Sequence, residues 1–453
     1  SKSLSRAIKL ILSFRRTNIS PKAKNIKGAG SPSTATSRGY GSVMRLLHSL
    51  LTFLINLTIL TCKTMSPSLL SLLLSITVTV SNPLNTPRKS VPVVIPINQK
   101  EEVRSVSIKE HPTLPYQLDD LNQDGKADEL VILLNLPAKG KETLTINFSS
   151  KPETTQFEPQ TNAYIRLNDK NKKHPKITAI AYPGDVNNLE MYNSIYGHGA
   201  VLEGLYNAIR VYMDNRQSVD LYAKNTPKLE LDTTGFYTTR EQLAQGYGRD
   251  ILWAGKSVAL GSFRGYQNGS PTTIDTVNSR GQRILTTGPL RSIIEVEDKE
   301  WIYNGKPLHM TQRYTIYGGH RDIEVDVKIS NAPVSNRYCT GIQKLETDNE
   351  GFLHTDGLAG SWGSNIPDKG MKDLSDTLGL GIYVAPPYLV ETKEDDVNYL
   401  TILKPDAKGH IRYTFTSGAV RDTESPHSAA DWFKHLHEWQ KELKNPVQIT
   451  IRK

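Results

Sequence analysis

Ile323-Glu324-Val325-Asp326-Val327-Lys328-Ile329 decides the fold class. Four β-branched apolar residues alternate with three charged ones. Successive side chains of a strand point to opposite faces, whereas a helix repeats every three to four residues. This heptapeptide is therefore a strand with one buried face and one wet face. Outward from it, runs of the same kind cover 309–317 and 293–297 on one side and 378–384 and 411–416 on the other. Further runs lie at 91–97, 103–108, 130–136, 143–148, 177–182 and 218–222, with Gly, Pro, Asn and Asp between them. Helical patterning is sparse. Its clearest instance is 431–443, where Trp432, Phe433, Leu436, Trp439 and Leu443 form one stripe. The segment 201–211 fits helix and strand equally. Many strands with few helices imply an all-β sandwich or barrel rather than a parallel α/β fold.

The 453 residues carry a formal charge of +9, which invites a nucleic-acid reading until its distribution is followed. Residues 1–43 hold nine Lys and Arg and no acid, and no Asp or Glu precedes Glu101. The remainder from 82 onward has a net charge of −2, so the chain expected to fold is nearly neutral and nucleic acid is not an expected partner. Residues 1–43 read as a basic leader outside the fold. Met44-Arg45 then opens an export layout, with residues 46–62 free of Asp, Glu, Lys and Arg; Met65 followed by 69–74 offers a second start. Either gives a signal peptide over 44–81, a mature chain from about Asn82 without a membrane span, and a periplasmic or secreted location. Ile59-Leu60-Thr61 before Cys62 fits a lipid-attachment box poorly, since small residues belong there. Cys339 is then a single thiol, expected to be buried rather than reactive. A composition shift at 151–160 divides a small N-terminal β module, 82–150, from a large β domain, 160–453.

Three clusters could carry chemistry. Asp120, Asn122, Asp124 and Asp128 lie in Asp120-Leu121-Asn122-Gln123-Asp124-Gly125, the opening of a calcium loop. Val131 stands where a helix–loop–helix site would need its bidentate Glu, so the choice lies between a structural Ca2+ and a plain acidic hairpin. The second cluster is Tyr196-Gly197-His198-Gly199, with Glu203, Arg210, Tyr222 and Lys224 downstream. Glycines on both sides clear space around an imidazole. Carboxylate or His can move protons, and Arg or Lys can neutralise an acidic substrate. The third holds Lys344 and Glu346, placed on one strand face by the period of two, then His354 and Trp362. No Gly-x-Ser-x-Gly elbow occurs, and no glycine-rich phosphate loop is placed between strand and helix.

Pro115-Tyr116-Gln117-Leu118-Asp119-Asp120, the Asp124–Leu130 stretch, Gly197-His198-Gly199 with Glu203, Ala208-Ile209-Arg210-Val211-Tyr212, Asp220-Leu221-Tyr222-Ala223-Lys224 and Thr340-Gly341-Ile342-Gln343-Lys344 together resemble the DUF4861 family. The resemblance runs in order over nearly all of 82–453. It implies exported proteins of Bacteroidetes-type bacteria, encoded in polysaccharide-utilisation loci beside pectin- and uronate-degrading enzymes. It also implies a galactose-mutarotase-like β-supersandwich. Fold does not fix function. With the clusters, the expectation is a protein acting on oligosaccharides that contain uronic acid, as lyase, hydrolase or epimerase, with no required cofactor. His198, Glu203 and Glu346 would move protons. Arg210, Tyr222, Lys224, Lys344, His354 and Trp362 would bind the sugar. The alternative is a non-catalytic saccharide binder using the same face.

Overall fold

Ile323–Ile329 lies in the strand Ile323–Ser330, the middle member of a nine-stranded antiparallel sheet. Its apolar residues are buried, while Glu324 and Lys328 are exposed and Asp326 is half-buried. The structure is a computed structural model that describes residues 75–98, 102–153, 155–171 and 173–452. The leader 1–43 and both export starts lie outside the described residues. Among those described, no helix is long and apolar enough to cross a membrane.

In order, the nine-stranded sheet runs Thr347–Leu353, Leu358–Asn365, Asp376–Val384, His410–Ala419, Ile323–Ser330, Lys306–Tyr317, Arg291–Tyr303, Ser279–Thr286 and Ala179–Pro183. One face packs on a six-stranded sheet, ordered Arg249–Asp250, Val219–Ala223, Asn207–Tyr212, Gly199–Gly204, Thr161–Arg166 and Lys176–Ile177, and on a five-stranded sheet that includes Tyr338–Gln343 and Asn398–Leu403. Leu202, Ile209, Val211 and Leu221 from the six-stranded sheet meet Ile294, Tyr314, Ile316 and Val325 from the nine-stranded one in a single core. This is the all-β sandwich expected, with few helices. The ambiguous stretch 201–211 belongs to a hairpin, Gly199–Gly204 with Asn207–Tyr212. Both its strands are buried on both faces, so the alternation that marks a strand was erased.

The C-terminal helix Ala429–Lys444 starts where Ser428 accepts a hydrogen bond from the Asp431 amide. Its Trp432 and Leu436 press on Gly379 and Gly381, where a Cβ would come within 2.4 and 2.3 Å of them. Trp362 is part of that same apolar cluster with Leu358, Tyr383 and Trp439.

The N-terminal module is a separate two-sheet sandwich. One sheet is Gln448–Arg452, Ser75–Ser81, Lys141–Ser149 and Ser105–Ile108; the other is Arg88–Pro96, Glu129–Leu136 and Tyr116–Asp119. This corrects the expected cleavage near Asn82. Ile76, Val78 and Val80 are buried in the module core, and Ser75–Ser81 pairs with a strand on each side. Cutting after Ser81 would remove an interior strand and leave Gln448–Arg452 without its partner, so the folded module begins no later than Ser75. The module is fastened to the large domain by Arg291. Its Nε donates to Asp119 at 2.8 Å and its Nη2 donates to Asp119 and, at 2.7 Å, to Glu129.

Candidate functional site

The outer face of the six-stranded sheet carries the chemistry. A strand places every second residue on one face, so Arg210 and Tyr212 share it, as do Asp220, Tyr222 and Lys224. Arg210 lies directly across from Asp220, and Tyr222 across from Asp250. Segment 225–248 covers part of this face, and beside it lies a cavity of about 340 Å3, lined among others by His198, Arg210, Tyr237, Asp250 and Trp253.

His198 reaches it from the turn before Gly199–Gly204. Gly197 has φ 80° and His198 itself φ 67°, a left-handed conformation in which non-glycine residues are uncommon and which clusters at functional sites. The His198 amide donates to Ile195 O at 2.8 Å, and its carbonyl accepts from Met213 N at 2.9 Å. Gly199 must lack a side chain, because a Cβ would lie 1.9 Å from the Val211 carbonyl oxygen. The imidazole stacks on Tyr192, with centroids 3.8 Å apart and planes at 8°. Its Nδ1 is 3.0 Å from the Tyr192 carbonyl, which can only accept, so Nδ1 carries the hydrogen and Nε2 the lone pair. Burial lowers the pKa of His198, and the nearby Arg210 charge adds to this, against the hydrogen bond to Tyr192. The ring is a neutral base at neutral pH.

Arg210 is 4% exposed. Its Nε and Nη2 donate to Asp220 Oδ2 at 2.9 and 2.6 Å, and Nη2 also donates to Asp250 Oδ2 at 2.9 Å. The rings of Phe236, Tyr212 and Tyr237 lie 4.4, 5.1 and 5.5 Å from the guanidinium carbon. Its Nη1 is buried and has no hydrogen-bond partner. A buried guanidinium nitrogen without an acceptor is costly. Two further guanidiniums line the wall. Arg216 bonds Asp214 and Arg249 bonds Asp376, at 3.0 and 2.7 Å. The cavity thus combines aromatic rings with guanidiniums that are each paired to an Asp, and its lining also holds Asp250 and Asp368.

Not every expected site residue is here. Glu203 is fully buried, accepting from Lys224 at 2.7 Å and from the Glu230 and Leu231 amides at 2.6 and 3.1 Å. Lys224 also donates to the carbonyls of Gly204 and Lys228. Tyr222 gives its hydroxyl to Glu230 at 2.9 Å. These three share the sheet face with Arg210 but fasten the covering segment to it, and they do not line the cavity. The third cluster is elsewhere. The strand Tyr338–Gln343 ends before Lys344, so Lys344 and Glu346 do not share its face; Lys344 pairs with Glu394 at 3.3 Å and Glu346 is exposed. His354 is exposed beside Phe352, and Trp362 is buried under the C-terminal helix, where it cannot stack on a sugar.

In the acidic loop, Asp120 accepts from the Asp124 and Gly125 amides, Asp124 from Lys126 N, and Asp128 from the Leu121 and Asn122 amides and the Asn122 side chain. Asn122 Oδ1 accepts from Asp124 N at 2.8 Å. The oxygens close the loop on its own backbone. Among the described residues no group of three or more His, Cys, Asp or Glu is placed to hold a metal ion. Cys339 is buried and unpaired, and burial pushes its thiol far up.

Sequence reasoning missed Asp250, Tyr237 and Trp253. Asp250 sits on a two-residue strand too short to show a period, and Trp253 follows in a loop. The one available signal was the Arg249-Asp250 pair between Tyr247 and Trp253.

A second, more open cavity of about 770 Å3 lies between the module and the large domain, lined by Gln117, Asp119, Phe157, Glu203 and Thr286 among others. Of its acids, Asp119 pairs with Arg291, Glu203 with Lys224, Asp232 with Arg166 and Lys176, and Glu230 with Lys228, while Glu153 accepts from the Tyr116 and Thr155 hydroxyls. Its lining holds no imidazole, so the base His198 points to the smaller cavity.

No curated protein matches the chain. Among solved structures, a protein in glycosyl hydrolase family 38 from Enterococcus faecalis is similar at TM-score 0.44 and 10% identity, over 84% of this chain and 47% of that one. An alpha-mannosidase from Enterococcus faecalis V583 follows at 0.41 and 8%, over 84% and 46%. A protein from Klebsiella pneumoniae assigned as an aldose 1-epimerase gives 0.26 and 9%, over 63% and 96%. The chain spans about half the length of the first two. Residues 80–449 match the domain of unknown function DUF4861, a match that takes in both β units except for most of the paired end strands Ser75–Ser81 and Gln448–Arg452, and the chain belongs to the DUF4861 family.

Proposed function

We propose that the protein is an exported carbohydrate-active enzyme that acts by acid–base chemistry on oligosaccharides containing uronic acid. The observation that carries this reading is a cavity that brings the neutral imidazole of His198 to the guanidiniums of Arg210, Arg216 and Arg249 and the rings of Tyr237 and Trp253. A sugar carboxylate would pair with the guanidiniums that line the cavity, since guanidinium and carboxylate match in charge and planar geometry. Tyr237 and Trp253 offer rings on which a sugar face can stack while polar tips stay wet. His198 Nε2 would then accept a proton from the sugar or from water.

The test is incubation with pectic, alginate and glycosaminoglycan oligosaccharides, read by mass and ultraviolet absorbance. Cleavage with a new absorbance and no added water indicates a lyase, and cleavage with added water a hydrolase. Rearrangement without a change of mass indicates an epimerase. Tight binding of an acidic sugar without turnover would make the protein a saccharide binder, and no interaction with any member would end the saccharide reading. Export rests on the basic-then-apolar order after Met44, and fractionation of the native host that finds the protein in the cytoplasm would refute it.

A further inference from the structure

Two carboxyl groups share one guanidinium at the floor of the cavity. Asp220 Oδ2 and Asp250 Oδ2 lie 2.6 and 2.9 Å from the same Arg210 Nη2. Asp220 receives donors on both oxygens: Arg210 Nε and Nη2 and, at 2.7 Å, the Tyr212 hydroxyl on Oδ2, with the Leu221 amide at 2.9 Å on Oδ1. That is the environment of a carboxylate. Asp250 has only the shared Nη2 and a longer contact, 3.2 Å, from the Leu252 amide. The other groups facing it are Tyr212 and Tyr237. The adjacent Arg249 is turned away to Asp376. With side chains 2% and 11% exposed, the pair has almost no water to solvate a second negative charge. One cation cannot hold two buried anions at low cost, so one acid keeps a proton.

Resting on the reading of this cavity as a saccharide site, we infer that Asp250 is the protonated member of an Asp220–Asp250 acid pair and the proton donor of the site. Asp250 lines the cavity, whereas Asp220 sits behind it. Burial, followed by the Asp220 charge, raises the Asp250 pKa well above the ordinary carboxyl range against the pull of Arg210, in keeping with this geometry. In elimination, His198 takes the proton of the sugar carbon next to the carboxylate, and the C–H electrons form a C=C bond. The electrons of the breaking C–O bond go to the leaving oxygen, which takes the proton of Asp250. In hydrolysis, the oxygen of a water deprotonated by His198 bonds the sugar carbon instead, and the leaving oxygen takes the same proton. Asp250 remains as a carboxylate on Arg210. It is reset by the proton that His198 removes, from a sugar carbon in elimination or from water in hydrolysis.

The acid pair can be read without any sugar. Infrared difference spectra at pH 7, full chain minus Asp250→Asn, should show a protonated-carboxyl band that shifts in D2O, which separates Asp250 from other raised carboxyls such as Glu324. The same difference taken with Asp220→Asn in place of the full chain should lack the band, because Asp250 is present but, freed of its anionic neighbour, ionises on Arg210. Absence of the band from the wild-type difference, or its persistence in Asp220→Asn, overturns the pair. Titrating the wild-type band past the pKa of Glu324, about 7, decides the matter even where a variant fails to fold. On a saccharide that the panel identifies, Asp250→Asn should lower kcat by about 10²–10⁴ and abolish the fall in rate at high pH. Unchanged turnover overturns the donor role. A panel without turnover overturns the donor role together with the function on which it rests, and the infrared bands then decide the acid pair alone.

Discussion

Arg291 and Arg210 are the same device in two places: a buried guanidinium between two carboxyl groups, bonded through Nε and Nη2. At the module junction the second acid, Glu129, has a side chain 28% exposed, so water shares its charge. Asp119 is fully buried but well served, since besides Arg291 it accepts from Gln117 at 2.6 Å and Thr286 at 2.5 Å. In the cavity the second acid, Asp250, is nearly dry and poorly served, and the guanidinium keeps a nitrogen without a partner. The lesson is that composition does not separate a structural clasp from a reactive site. Solvation of the second acid and completeness of the hydrogen bonds do.

The largest effect expected tests the clasp. Arg291→Ala strands Asp119 in a buried place without its cation, and breaking such a pair costs about 3–5 kcal/mol. Denaturant unfolding of the variant measures this. A loss under about 1 kcal/mol would mean that the junction is held by its apolar contacts instead, and the contrast with Arg210 would collapse.

Next is His198→Ala, which should lower turnover on the active saccharide by about 10²–10⁴ while leaving thermal unfolding nearly unchanged. The same residue sets a pH limb. Its folded pKa lies below the unfolded value near 6.5, because burial disfavours the imidazolium. As pH falls through that region the unfolded chain binds the proton first, so His198 lowers stability on the acid side and the loss is absent above it. Protonation also removes the base, so the rate should fall at acid pH with an apparent pKa below 6.5. A limb above 7 would assign it to another group.

Much of this was legible in the chain and some was not, for identifiable reasons. The period of two at Ile323–Ile329 was decisive because that strand has one wet face. It failed at 201–211, where both faces are buried. Ser75–Ser81 was absorbed into the export segment because its apolar residues continue a hydrophobic run, although Ile76, Val78 and Val80 already alternate with Thr77 and Thr79. His198 and Arg210 could be found because glycines flank one and the other lies in the same short run of titratable residues. Asp250 could not, since it comes to Arg210 through sheet pairing 40 residues away. Trp362 was misassigned because an aromatic residue beside polar ones looks the same in sequence whether a sugar or a helix covers it.

A smaller effect separates charge from geometry at Arg210. Arg210→Lys keeps the cation but loses the planar fork. A hydrogen bond to a charged group contributes about 1.5–3 kcal/mol, so KM for an acidic saccharide should rise about tenfold or more. Stability should fall less than in Arg291→Ala, because Asp250 already holds its proton and Asp220 keeps Tyr212 and the Leu221 amide as donors. Equal losses of stability at the two arginines, with KM unchanged, would make Arg210 a second clasp.

The smallest effect expected is that of calcium removal on the loop of Asp120, Asn122, Asp124 and Asp128. This loop is a third acidic cluster, and it has no buried arginine at all. Its oxygens face backbone amides, with Gly125 at φ 87° allowing the turn. The fold it closes is a hairpin, in which Asp119 pairs with Glu129 across the strand ends. If the amides are the loop's partners, a chelator should leave the melting temperature unchanged. A cation bound only by the folded chain would instead stabilise it by about 2.7 kcal/mol at a hundredfold excess over its dissociation constant. The two outcomes differ by several degrees in a thermal scan, and elemental analysis of the purified protein distinguishes them independently. A fall on chelation, with calcium found at one ion per chain, would show that the carboxylates turn from the backbone to a metal. The loop would then be a cation-held support for the Asp119 end of the clasp.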